Sequence, residues 1–128
     1  MKYLNPISRL CALFAASAAL ALAPLAVRAA DTAQAGESTT VTGEVLDMAC
    51  YLDHGAHGEK HADCAKMCIS SGLPVGIKSA DGTVYLLIGE HKPANAMLAD
   101  YAAKTVTVRG KLATRDGMNL LENIEIVK

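Results

Sequence analysis

The sequence predicts a mainly β domain with short helices: a small five-stranded OB-fold-like barrel with a Cys/His-bearing helical insertion between strands 1 and 2. Three observations carry this. Five short runs rich in β-branched residues are separated by Gly, Asp and Pro punctuation. One helical stretch falls between the third and fourth runs. All three cysteines downstream of residue 30 fall between the first and second runs. A plain α+β sandwich is the alternative architecture.

The elements follow in order. Lys2 and Arg9 precede an Ala/Leu-rich run from Leu10 to Val27, and Val27-Arg28-Ala29 offers a cleavage site. Residues 1–29 therefore read as a secretory signal peptide cut near Ala29 or Ala30. The rival reading is a retained transmembrane anchor, against which Pro24 interrupts the run. Cleavage removes Cys11, leaves no stable membrane anchor and places the protein in the periplasm or the secreted fraction. Residues 30–38 are small and polar, a flexible lead-in. The domain proper covers 39–128, with the insertion at 48–73.

Thr39–Asp47 (TTVTGEVLD) reads as a strand with a bulge or sharp coil at Gly43. Within the insertion, Glu59–Ser70 reads as a short helix ended by Gly72 and Pro74. Pro74–Lys78 and Thr83–Ile88 form a hairpin around Asp81-Gly82. Pro93–Ala103 reads as a helix, with Met97, Leu98 and Tyr101 on one face. Thr105–Leu112 is a strand with Val106 and Val108 inward. A turn at Arg115-Asp116-Gly117 leads to the last strand, Met118–Val127.

Charge excludes one class of partner. Loss of Lys2, Arg9 and Arg28 takes the basic residues from 12 to 9 against 13 acidic ones, a net charge of about −4. There is no Trp, and the single Phe lies in the leader. Phosphate backbones need Lys and Arg, and base stacking needs aromatic rings, so nucleic acid is not the expected partner.

The chemistry concentrates in one stretch: Cys50-x3-His54-x2-His57-x3-His61-x2-Cys64-x3-Cys68. At 100° per residue, His61, Cys64 and Cys68 lie at about 40°, 340° and 20° relative to His57, so they line one helix edge. His57 joins them only if the helix starts before Gly58. Cys50, arriving from the first strand, completes a Cys3His shell of Cys50, His61, Cys64 and Cys68, with His54 and His57 as alternates. Thiolates with one imidazole suit Zn(II), Cu(I) or an iron centre, and a single Zn(II) or Cu(I) ion is the expected occupant. Such ligands bind deprotonated, so affinity should fall in acid. A closed shell leaves no open coordination position, which points away from an enzyme.

Two rivals use the same residues. A disulfide from Cys50 to Cys64 or Cys68 would close a loop of about 15 to 20 residues, worth roughly 3 kcal/mol to a small domain. It leaves one odd thiol, unusual after export. The ligand of such a stapled module would then be a protein partner on the insertion or the barrel face. The other rival is a thiol–disulfide oxidoreductase using Cys64 and Cys68. Their C-x3-C spacing is shared with a class of copper chaperones, without the proline that follows there. Met48 and Met67 read as packing residues rather than soft ligands. Asp47 and Asp53 read as turn formers rather than acceptors for an imidazole N–H. His91 reads as surface loop, and Tyr51 and Tyr85 as core or rim. No C-x2-C-H haem motif, carboxylate pair, catalytic triad or phosphate loop is present.

These residues resemble a loose group of small exported bacterial proteins with an OB-fold-like pattern. The matching parts are Val41-Thr42-Gly43-Glu44-Val45-x-Asp47-x-x-Cys50-Tyr51 and Gly58-x-x-His61-x-x-Cys64-Ala65-x-x-Cys68. Gly72-Leu73-Pro74-Val75-Gly76, Val84-Tyr85-Leu86-Leu87 and Val106-Thr107-Val108-x-Gly110 follow. The resemblance implies the fold and export, and favours His61 over His54 as the cluster's histidine.

Overall fold

Strand alternation organises the structure, a computed structural model that describes residues 36–127. The expected leader over 1–29, with Cys11 and its cleavage site, and most of the lead-in lie outside the described residues. Five strands form a closed barrel in the order β1-β2-β3-β5-β4. They are β1 (Ser38–Asp47), β2 (Val75–Ser79), β3 (Val84–Leu87), β4 (Thr105–Arg115) and β5 (Met118–Val127). All neighbours pair antiparallel except β3 and β5, which pair in parallel through Leu86 with Leu120 and Leu87 with Leu121. This is the predicted OB-fold-like architecture. No helix among the described residues is long and apolar enough to cross a membrane.

β1 closes the barrel by changing partners along its length. Its first half pairs with β4 and its second half with β2, and Gly43 sits on both ladders, opposite Val106 and Ser79. A Cβ at Gly43 would overlap the Lys78 carbonyl. The glycine marks a sharp coil, the second of the two expected devices. The bulge lies elsewhere: between Arg109 and Lys111 the register against β5 slips by one residue, and Asn123 takes φ +55°. Asn tolerates this left-handed backbone better than most residues.

Inward positions fill the barrel. Val45, Ile77, Leu87, Val108 and Leu121 are fully buried, joined by Leu98 from the segment before β4. The expected helix at Pro93–Ala103 is shorter than read: α3 covers Asn95–Leu98, followed by a 3-10 turn at Ala99–Tyr101. Its end is tied to β1, where Ala103 N–H donates to the Val45 carbonyl and Val45 N–H to the Lys104 carbonyl. β4 also runs three residues past its expected end, to Arg115.

The insertion holds two helices rather than one. Met48–His54 forms α1, over residues for which the sequence predicts no element. The second helix, α2, covers Ala62–Ser70, and its expected first turn is instead a 3-10 turn at Glu59–His61. Gly58, at φ +80° and ψ 175°, holds a conformation open essentially only to glycine and separates His57 from this helix. Ala65 and Ile69 of α2 pack into the core. Asn95 locks the end of α2 by donating to the carbonyls of Ile69 and Leu73, both at 2.7 Å.

Candidate metal centre

The site begins at the last residue of β1. Asp47 is 1% exposed, the one charged residue among the buried set. Its carboxylate caps α1, accepting from the backbone N–H of Ala49 at 3.1 Å and of Cys50 at 3.3 Å. An N-cap carboxylate satisfies amide groups that the first helical turn leaves unpaired. At the other end Gly55, in the left-handed region at φ +70°, closes α1 with hydrogen bonds to Tyr51 and Cys50 carbonyls. These two residues were the readable signal for the missed helix: Asp at one end and Gly eight residues later. The helix fixes Cys50 one turn above the Asp47 carboxylate.

α2 brings the other two thiols. Cys64 and Cys68 stand at i and i+4 on one edge, beside the edge through which Ala65 and Ile69 enter the core. The sulfurs of Cys50, Cys64 and Cys68 all lie within 4.8 Å of one another. None is paired in a disulfide. Cys64 is exposed, and Cys50 and Cys68 are half-buried. Three of the four residues read from the sequence as a metal shell are therefore gathered at one point.

His61 joins Cys50 in a different grouping. Asp47, Cys50 and His61 form a second group within the same distance limit. The two groups share Cys50, and His61 does not lie within that limit of both other sulfurs. It caps the start of α2 with its backbone, and its Nε2 is buried without a hydrogen-bond partner. A buried polar atom left unpaired is costly, and its presence here signals a missing partner.

The alternates fall outside both groups. His54 is exposed and its Nδ1 lies 3.1 Å from Asp53 Oδ2. Its ring meets His61 edge-on, with centroids 6.4 Å apart. His57 faces Glu44, 3.8 Å from Oε2, while Glu44 Oε1 accepts from Gly58 N–H. Met48 is a packing residue as expected: its sulfur fills the space a Cβ at Gly76 would take. Met67 is not, being 69% exposed on α2. His91 is exposed, as read. Tyr85 packs against the core. Asp47 is more than a turn former, because it lies in contact range of the cluster.

The electrostatics describe a proton-rich metal-free state. Cys50 is pushed up to about 12, first by its hydrogen bond to Asp47, then by burial and by the Asp47 charge. Burial raises Cys68 too, with the Asp47 charge adding to it. Burial alone would raise Asp47, but hydrogen bonds from the Cys50 thiol, the Ala49 and Cys50 amides and the Cys68 thiol leave it lower than usual. Burial and the neighbouring carboxylate thus oppose thiolate formation at Cys50 and Cys68 in the metal-free site.

A separate open cleft of about 460 Å³ lies where β2, β3 and the loop before α3 meet. Pro74, Leu86, Ile88 and Pro93 give it apolar walls, and Lys92 and Asn95 stand on its lining. No protein-family model matches the sequence, and neither curated proteins nor solved structures give a match.

Proposed function

We propose that the chain is an exported metal-binding protein that holds one Zn(II) or Cu(I) ion on Cys50, Cys64 and Cys68, with His61 as the fourth ligand. The observation that carries this is the convergence of three sulfurs within 4.8 Å from two helices. A Zn–S bond of about 2.3 Å in a tetrahedral shell puts sulfurs about 3.8 Å apart, so the thiols are close to ligand spacing. The unpaired, buried Nε2 of His61 supports its place in the shell. Binding exchanges S–H protons for the ion and releases them to water. The exposure of Cys64 suits a carrier or sensor, which must exchange its ion, better than a sealed structural site. Periplasmic or secreted location rests on the leader-like N-terminus.

The same proximity favours a second reading, in which two of the thiols form a disulfide and a protein or small ligand docks on the insertion or the barrel face. Co(II) titration under reducing conditions separates them. The metal reading expects one equivalent to bind, with intense thiolate-to-cobalt absorption that weakens stepwise in Cys50→Ser, Cys64→Ser and Cys68→Ser. Absence of those bands in the reduced protein sinks the metal reading.

A further inference from the structure

We infer that the Asp47 carboxylate biases the cation charge this site takes, shifting its preference toward a divalent and away from a monovalent thiophilic ion. The inference rests on the metal reading above and concerns which ion that site takes.

Asp47 differs from the ligands in how it is satisfied. Both its oxygens already accept backbone amides, from Ala49 and Cys50. His61 Nε2 has no partner at all. An ion entering the cluster therefore meets His61 as an open donor, while Asp47 keeps its place as the cap of α1. Its charge nonetheless stays beside the ion, because its carboxylate, the Cys50 sulfur and the His61 ring nitrogen lie within 4.8 Å of one another.

Among the described residues this charge has no counterion. Asp47 is 1% exposed, and none of the ion pairs among the described residues involves it. Ligation by three thiolates beside this carboxylate places four negative charges in the pocket, together with a neutral imidazole. A buried charge without a counterion is strongly disfavoured. A monovalent ion leaves a residue of three negative charges, and a divalent ion leaves two. Thiolate softness alone favours Cu(I); the buried carboxylate pulls the other way. Two unit charges roughly 6 Å apart at an effective dielectric constant of about 20 interact strongly enough to change a binding constant about a hundredfold. The carboxylate's attraction for a divalent ion is twice that for a monovalent one.

The test is the ratio of Zn(II) to Cu(I) affinity, measured by competition with chromophoric chelators on protein with reduced thiols. Asp47→Asn removes the charge and keeps a good N-cap. Asp47→Ser is the second variant, also a capping residue, and circular dichroism checks the fold of both. The expected result is a fall in the Zn(II)/Cu(I) affinity ratio of about tenfold or more in either folded variant. A general loosening of the site would weaken both ions alike and leave the ratio within about twofold; that outcome overturns the inference and leaves the metal reading intact. Failure of the unaltered protein to bind either ion overturns the metal reading itself.

Discussion

The barrel and the insertion solve opposite problems with the same short chain. In the barrel, inward side chains are apolar and close-packed, and the places where neighbouring backbone leaves no room for a Cβ, at Gly43, Gly76 and Gly110, are glycines. In the insertion, Met48, Ala65 and Ile69 supply the packing, and beside them gather three thiols, an imidazole with an unpaired nitrogen and the buried carboxylate that ends β1. The barrel is finished as it stands. The insertion gathers groups that repel one another once deprotonated, which makes sense if a cation completes it.

This contrast can be broken first in the barrel. Ile77→Ala empties a fully buried position on β2. It should cost about 2–5 kcal/mol in denaturant unfolding. The loss should be the same with and without metal, because Ile77 belongs to the barrel. A loss confined to the metal-loaded protein would mean that the two regions are not independent.

The insertion should respond to metal instead. Zinc held at about a hundredfold excess over its dissociation constant should raise unfolding stability by about 2.7 kcal/mol. Chelator should remove that gain. In Cys64→Ala, whose side chain is exposed, metal-free stability should change little and most of the zinc-dependent gain should disappear. An unchanged zinc response in that variant would remove Cys64 from the shell.

Acidity sharpens the comparison further. In the metal-free fold Cys50 titrates at about 12 against an ordinary 9.0, so the folded state holds its proton more tightly than the unfolded chain. The stability this supplies is full below about pH 9 and is lost as pH rises through the folded value. Asp47 has the opposite sign: its lowered value contributes stability above the usual carboxylate range, lost as pH falls through the folded pKa. Zinc affinity should climb with pH near neutrality, as thiol protons are displaced. Unfolding midpoints and zinc titrations across pH check these three slopes. A flat zinc affinity between pH 6 and 8 would exclude thiol ligands that start protonated.

The smallest effect lies at the seam. Lys66 on α2 pairs with Asp100 in the turn after α3 at 2.7 Å, with both side chains largely exposed. The pair holds Asp100 lower and Lys66 higher than usual. Lys66→Ala should nevertheless cost less than about 1 kcal/mol in urea unfolding, because water and salt screen such pairs. A larger loss would mean that docking of α2 depends on this bridge.

Legibility followed the same division. Period-two alternation and the Asp-Gly turns exposed all five strands, because each strand has one wet and one dry face. Gly43 was readable as a special position, but whether it marked a bulge or a coil depended on which strands lay across it. The slip at Asn123 left no local signal, since Asn is common at ordinary positions. In the insertion, spacing on α2 correctly grouped Cys64 with Cys68, and Cys50 as their partner followed from its place after β1. Helix α1 was missed because it is only seven residues long and mixes strong formers (Met48, Ala49, Leu52) with weak ones (Cys50, Tyr51, Asp53, His54), which leaves its two caps, Asp47 and Gly55, as the signal. His61 lies close to Cys50 but off the edge that the ideal helical wheel gave it, because the backbone there is a 3-10 turn. The part played by Asp47 was hidden in the sequence, where an Asp after a strand reads as a turn residue.

The central claim is that Cys50, Cys64 and Cys68 hold one metal ion rather than a disulfide. Native mass spectrometry of the protein purified without chelator tests it directly, since one intact mass reports bound metal and thiol oxidation together. The account predicts a single metal adduct, with all three thiols free for alkylation once the ion is removed. A metal-free mass two hydrogens light, with one alkylatable thiol, would contradict it.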